Sequence, residues 1–211
     1  MPMSKIALSM RMVNSDYGEW RDAIAQDWTS YLHAQDIQPV HIPNDPAHCT
    51  KYLDGVSALI LTGGDEIILT NPDEKSDDPR ARRDLTEYAL LKHAIEKNLP
   101  VLGVCRGIQF INTFFGGTLK KIEGHVATTH EVIITDNSIQ SLFPQKNMSV
   151  NSFHDNSIDT LGKDLLPFAT SNDGNIEGLV HSKYPIVGIM WHPERPEQQS
   201  NLISRFLKAS Q

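Results

Sequence analysis

Residues 101–110 read VLGVCRGIQF, and the position of Cys105 within them decides the fold. Val101 to Val104 is a short apolar run of the kind that fits a strand covered on both faces. From Ile108 to Phe115 the pattern turns helical, and it stops at Gly116-Gly117. Cys105 therefore occupies a strand–turn–helix corner. Such a corner projects its side chain at the carboxyl end of a sheet, where open α/β sheets place their sites. A buried cysteine is commonly no more than a small hydrophobe. Against that reading stands the positive N-terminal end of the following helix, which favours a thiolate. Gly103 and Gly107 also leave room for a tight turn and close backbone approach.

Working outward, Ile6 to Met10 is a strand candidate, and a helical pattern runs from Glu19 to Ala34 through Trp20, Ile24, Trp28, Tyr31 and Leu32. IQPVHIP (37–43) and VSALILTGG (56–64) read as strands, and NPDEKSDD (71–78) as a polar loop. A helix is expected from Arg80 to Lys97, with Leu85, Tyr88, Ala89, Leu91 and Ile95 close to one face. This alternation predicts an α/β protein with a mostly parallel central sheet and helices on both faces. The second half changes character: HEVIITD (130–136), MSVNSFH (148–154), LPFATSND (166–173), IEGLVHS (176–182) and PIVGIMWH (185–192) are short strands, followed by a helix from Gln198 to Lys208. With no Gly- or Ser-rich linker and no repeat, a single catalytic domain over 1–211 is the expectation.

The 211 residues carry a formal net charge of −7. That balance argues against a nucleic-acid groove, which needs clustered Lys and Arg, but leaves room for a small anion held by local cations. The opening MPMSKIALSMRM has no apolar leader, and no run approaches the roughly 20 apolar residues of a membrane helix. A cytoplasmic protein is expected, with no membrane partner and with Cys49 and Cys105 reduced. His33, His41, His48, His93, His125, His130 and His181 show no zinc spacing such as His-Glu-x-x-His. NPDEKSDDPR (71–80) lacks the glycine and distal glutamate of a calcium loop. The expectation is therefore no metal and no cofactor.

A nucleophilic thiol needs a base, and the base needs an orienting group. GIMWHPER (188–195) supplies both at the end of an apolar run, with His192 and Glu194 separated by Pro193. Proline biases its neighbour toward an extended conformation, and side chains two apart on an extended segment point the same way. Glu194 can then reach the ring nitrogen of His192 that does not face the thiol.

Taken together, LTGGDE (61–66), VLGVCRGIQFINTFFGGTL (101–119) and GIMWHPER resemble the class I glutamine amidotransferases and their free-standing γ-glutamyl hydrolase relatives, over nearly the whole chain. The resemblance implies a flavodoxin-like three-layer sandwich. It implies Cys105 as nucleophile, His192 as base and Glu194 as orienting carboxylate, acting through a thioester. The family's oxyanion donors match the backbone N–H groups of Gly64 and Arg106, with Gly63 beside them. Gln109, one helical turn after Cys105, matches a residue that contacts the glutamyl moiety. VNSFHDNSI (150–158) resembles the segment lining the glutamyl pocket, often written with two adjacent histidines. Here His154 is followed by Asp155, which makes both substrate-site candidates and leaves the second role open.

Two kinds of activity fit: a self-sufficient hydrolase of γ-glutamyl conjugates, or a glutaminase subunit passing ammonia to a separate synthase partner. Arg106, where subunit glutaminases commonly have leucine, favours the first. A catalytically inactive binding protein is disfavoured by the complete set of three residues. The γ-glutamyl-γ-aminobutyrate hydrolases share the elbow but are usually longer. The opening SMRMVNSDYGEWRDAIAQDW (9–28) is similar to the γ-glutamyl-CDP-amidate hydrolases, which implies a phosphate-bearing small-molecule substrate. Arg11, Arg21, Arg82 and Arg83 are candidate partners for a diphosphate, with plain surface charge as the other reading. A homodimer remains open.

Overall fold

The computed structural model describes residues 3–136, 139–198 and 200–209. The chain starts with β1 (Ser4–Ser9), then a hairpin of β2 (Arg11–Asn14) and β3 (Trp20–Ala23), then α1 (Gln26–His33) and β4 (Ile37–Ile42). β5 (Ala58–Leu61), α2 (Ala81–Glu96), β6 (Val101–Val104) and α3 (Arg106–Phe114) follow. After these come β7 (Thr118–Lys121), β8 (Val126–Ile134), β9 (Asn147–Phe153), β10 (Asn156–Thr160), β11 (Leu165–Ser171), β12 (Ile176–His181), β13 (Ile186–Ile189) and α4 (Leu202–Ala209).

Nine of the strands form one sheet in the order β4-β1-β5-β6-β13-β12-β11-β8-β9. The first five are parallel throughout. Ranked by position in the chain they run 2-1-3-4-5, the flavodoxin-like order, whose ligand site lies at the carboxyl ends of the strands. The remaining four pair antiparallel and extend the sheet as an arm. Because side chains alternate across a strand, each apolar run serves two layers. Ile6, Leu8, Ile60, Leu102 and Val104 pack under α1 and α4. Ala7, Leu59, Leu61 and Val101 pack under α2 and α3 on the opposite face. Each such fully buried aliphatic side chain contributes about 1.5–3 kcal/mol. Among the described residues no helix is long and apolar enough to cross a membrane.

Three expectations are corrected. The helix predicted from Glu19 begins only at Gln26, since Trp20–Ala23 pairs antiparallel with Arg11–Asn14. Asp22 fixes that hairpin by accepting from the Asn44 side chain (2.6 Å) and backbone (3.1 Å). Cross-strand pairing overrode a helical spacing to which Trp20 contributed by coincidence; its side chain is exposed. The last helix starts at Leu202 after a short 3₁₀ turn over Pro196–Gln198, and Gln199 of the predicted span lies outside the described residues.

The third correction concerns α2. Leu85, Tyr88, Ala89 and Ile95 lie at its partly exposed margins, while Arg83, Asp84 and Glu87 are buried with Leu90, Leu91 and Ala94. These charges belong to a closed network. Arg106 pairs with both Asp84 and Glu87. Arg83 Nε donates to Glu87 Oε1 at 2.9 Å, and Ser9 Oγ donates to the same oxygen at 2.7 Å. Asp84 Oδ2 accepts the backbone N–H groups of Ile68 and Leu69 at 2.8 and 2.9 Å. Burial alone would raise the Glu87 carboxyl, but Arg106 and Arg83 hold it below the usual carboxylate range.

Removing one member of such a network leaves its partners charged and unpaired in the interior. Arg106→Met is expected to lower the unfolding free energy by about 3–5 kcal/mol, read from the urea midpoint. An unchanged midpoint would show that the network is not closed as described.

Candidate active site

Cys105 caps the N-terminus of α3 with φ 52 and ψ −103, a left-handed φ that costs a non-glycine residue about 1–3 kcal/mol. The surroundings hold it there. Its N–H donates to Ile189 O at 2.9 Å. Gly107 packs so closely on β5 that a Cβ would collide with the Leu61 carbonyl, so glycine is required there by contact. Cys49, in contrast, is fully buried and lies 3.7 Å from both the Pro46 and Thr86 carbonyl oxygens. Burial pushes its thiol up, away from the thiolate form that reacts.

β13 ends at Ile189, and three residues later His192 reaches the elbow. Its Nδ1 lies 2.7 Å from Glu194 Oε1, and its ring and Cys105 line the same cavity. Burial works against a charged ring, yet the bonds to Cys105 and Glu194 outweigh it and raise the His192 pKa to about 10. The backbone is clamped from the antiparallel arm. Asn151 Oδ1 accepts from His192 N at 2.8 Å, and Asn151 Nδ2 donates to His192 O at 3.0 Å. A positively charged ring between a sulfur and a carboxylate can stabilise a thiolate and deliver a proton to a departing group.

Opposite the thiol, Thr62-Gly63-Gly64 follows β5. A Cβ on Gly63 would stand 2.8 Å from His192 Cε1 and 3.6 Å from Cys105 Cβ, which leaves only glycine at that point. Arg83 Nη2 donates to Thr62 O (2.8 Å) and Gly63 O (3.1 Å). In a trans peptide the N–H points opposite to the C=O, so the grip on Gly63 O turns the Gly64 N–H away from the buried guanidinium. Gly64 itself has φ 144. The N–H of Arg106, at the first turn of α3, has no intrahelical partner to satisfy it. Gly64 lines the same cavity as Cys105, and Arg106 directs its side chain into the network below.

The cavity in front of Cys105 measures about 400 Å³ and is walled by Thr62, Gly63, Gly64, Phe153, His192 and Glu194. A larger cleft of about 660 Å³ lies behind Glu194 and Trp191, and no cysteine lines it. Among the predicted substrate residues, Gly63 lines the cavity and three others do not. Gln109 is buried and donates to Asn156 O at 3.4 Å. His154 turns inward, its Nδ1 3.0 Å from Asn156 O. Asp155 is exposed and pairs with Lys121 at 3.0 Å. The arginines also separate. Arg11 reaches the cavity mouth, paired with Asp65 at 2.7 Å. Arg21 pairs with Glu19 on the surface, Arg82 donates to Asn44 O, and Arg83 is interior. Sequence reasoning missed Asn151 and Arg195. Arg195 lines the cavity with its guanidinium 3.6 Å above the Phe153 ring. Each lies inside a stretch already singled out, but neither has a motif spacing to announce it.

The Peptidase C26 family profile matches residues 6–194. The chain is 30% identical over 201 residues to the γ-glutamyl-CDP-amidate hydrolase of Campylobacter jejuni, covering 93% of each. It is 28% identical to the γ-glutamyl-γ-aminobutyrate hydrolase of Escherichia coli, covering 77% of this chain and 74% of that one. Among solved structures, a glutamine amidotransferase from Thermotoga maritima superposes with a TM-score of 0.69 at 16% identity, over 99% of this chain and 83% of that one. A GMP synthase component from Thermoplasma acidophilum superposes with a TM-score of 0.76 at 21% identity, over 100% of this chain and 95% of that one. At those identities the two structural likenesses speak for the fold alone.

Proposed function

The chain belongs to the Peptidase C26 family, and on that premise we propose that it hydrolyses a γ-glutamyl amide through a thioester on Cys105, with a phosphate-bearing conjugate such as γ-glutamyl-CDP-amidate as substrate. The observation that carries the proposal is the placement of Cys105 and His192 on one cavity, with Glu194 2.7 Å from the His192 ring. The Cys105 thiolate attacks the γ-carbonyl carbon. The oxygen that becomes negative is met by the N–H groups of Gly64 and Arg106, each such donor being worth about 3 kcal/mol of barrier. His192 gives its proton to the departing nitrogen as the C–N bond breaks. Now neutral, the same ring takes a proton from water, which attacks the thioester and releases glutamate and the thiolate. Glu194 holds the ring in orientation and stabilises its charge.

The choice of leaving group rests on charge at the cavity mouth. Arg11 and Arg195 line the cavity, and guanidinium groups suit phosphate oxygens. The similarity to the Campylobacter enzyme over 93% of both chains points the same way. γ-Glutamyl-γ-aminobutyrate is the next candidate, after the Escherichia coli relative.

Glutamate release by the purified chain alone, on glutamine, γ-glutamyl-γ-aminobutyrate and γ-glutamyl-CDP-amidate, tests the proposal. Turnover is expected to be highest on the phosphate-bearing conjugate. Arg11→Ala should lower kcat/KM about 10–100-fold on that conjugate, the worth of one charge-assisted hydrogen bond, with little change on the aminobutyrate conjugate. Equal losses on both would remove Arg11 from the phosphate site. Silence on all three, with Cys105 still alkylated by iodoacetamide, would favour a glutaminase that waits for a synthase partner.

The pH profile supplies a second check. His192 is protonated below its raised pKa and loses that proton as pH rises through about 10, so kcat/KM should fall on that alkaline side. Glu194→Gln removes one of the groups that raise the value, and should move the alkaline limb to lower pH and reduce kcat by about 10²–10⁴-fold. A limb that stays in place would detach Glu194 from the ring's charge.

A further inference from the structure

Away from the Cys105 cavity, the antiparallel arm buries a second group of titratable side chains. His125 precedes β8, His154 follows β9, and Glu177 lies on β12. All three are buried, and one ligand atom from each lies within 4.8 Å of the other two.

Hydrogen bonding fixes which ring atoms face inward. His154 Nδ1 sits 3.0 Å from the Asn156 carbonyl oxygen. A carbonyl only accepts, so Nδ1 carries a proton, and in the neutral ring Nε2 presents a lone pair. His125 Nε2 sits 2.8 Å from Asp173 Oδ2. By the same reasoning that nitrogen is the donor, and Nδ1 presents its lone pair. Both lone pairs point at Glu177 Oε1, at 3.7 Å from His125 Nδ1 and 3.6 Å from His154 Nε2. None of these three atoms has a hydrogen-bond partner. With both rings neutral, three buried acceptor atoms converge, an arrangement that costs energy unless a cation is shared among them.

We propose that His125, His154 and Glu177 form a binding site for a divalent transition-metal ion of the zinc type. The spacing fits. Ligands about 2.1 Å from a tetrahedral zinc stand about 3.4 Å from one another, close to the 3.7 and 3.6 Å from Glu177 to the two histidines, while the two ring nitrogens lie within 4.8 Å of each other and would draw together on an ion. Two imidazoles with one carboxylate select zinc-like ions over calcium or magnesium. The outer contacts fit as well: metal-bound histidines commonly give their second N–H to a carboxylate or a backbone carbonyl, here Asp173 and Asn156. His130 Nε2 lies 3.4 Å from Glu177 Oε2, and the fourth position is open to it or to water. A bound ion would tie the β11–β12 hairpin, which carries Asp173 and Glu177, to the ends of β8 and β9. His154 directly follows Phe153, whose ring meets His192 edge-on at 5.9 Å, so the ion would brace one wall of the cavity. The site does not depend on the γ-glutamyl reading, and it departs from the sequence expectation of no metal.

Tag-free protein, stripped with chelator and titrated with Zn²⁺ and Co²⁺, tests the site. Uptake of one equivalent per chain is expected, with visible Co²⁺ absorption of a four-coordinate nitrogen–oxygen site and a zinc-dependent rise in Tm. Glu177→Gln should abolish stoichiometric uptake, and Cys105→Ala should leave it intact. Asp173 is half-exposed, so Asp173→Asn spares the core; it should weaken affinity about 10–100-fold and decides the matter if the Glu177 variant fails to fold. No uptake by the native chain, uptake unaffected by both Glu177→Gln and Asp173→Asn, or uptake lost in Cys105→Ala would overturn the proposal.

Discussion

Everything at Cys105 rests on charges that never meet water. Arg106 follows the cysteine in the chain, and its side chain runs down from the elbow to Glu87 and Asp84 on α2. Arg83, from the same helix, binds Glu87 and reaches up to the carbonyls of Thr62 and Gly63. One helix therefore anchors both sides of the site, the elbow and the glycine loop opposite. Two arginines balance two carboxylates, which makes the desolvation tolerable; buried ion pairs of this kind add little net stability. What they do here is set a distance. Cys105, with its left-handed φ, and the Gly63-Gly64 loop are thereby held at a fixed separation across the cavity.

The histidine beside the thiol comes from elsewhere. His192 leaves the last parallel strand where the sheet changes to antiparallel, and Asn151 of β9 grips its backbone from that arm. β9 also supplies Phe153 to the cavity wall. The arm thus supports His192, and the His125–His154–Glu177 cluster stands within it. The two halves of the sheet have separate tasks: the parallel part presents the thiol and the glycine loop opposite it, and the antiparallel part holds the ring in place.

Much of this was legible in the sequence, for physical reasons that can be named. Val101–Val104 and Ala58–Leu61 are apolar on both faces because both faces are covered, so their runs read plainly as parallel strands. Cys105, His192 and Glu194 were legible because each sits at a strand end marked by Gly or Pro. The features that escaped depend on contacts between distant segments. The face of α2 was misjudged because periodicity assumes that charges point outward, whereas Arg83, Asp84 and Glu87 point inward to meet Arg106. Trp20–Ala23 looked helical until its pairing with Arg11–Asn14 was visible. His154 resembled a pocket residue by motif, but its nitrogens face Asn156 and Glu177. Asn151 offers no spacing signal, since its role is defined by a backbone 41 residues away.

Among four arginines read as diphosphate partners, only Arg11 meets the cavity, joined there by Arg195. Beneath any question of leaving group lies the claim that the acyl group passes through Cys105. Rapid acid quench of the chain during turnover of γ-glutamyl-CDP-amidate, followed by intact mass and peptide mapping, tests it directly. The account predicts a transient adduct of one glutamyl group on Cys105 that disappears as glutamate accumulates. Steady release of glutamate by a Cys105→Ala variant, or an adduct on any other residue, would contradict it.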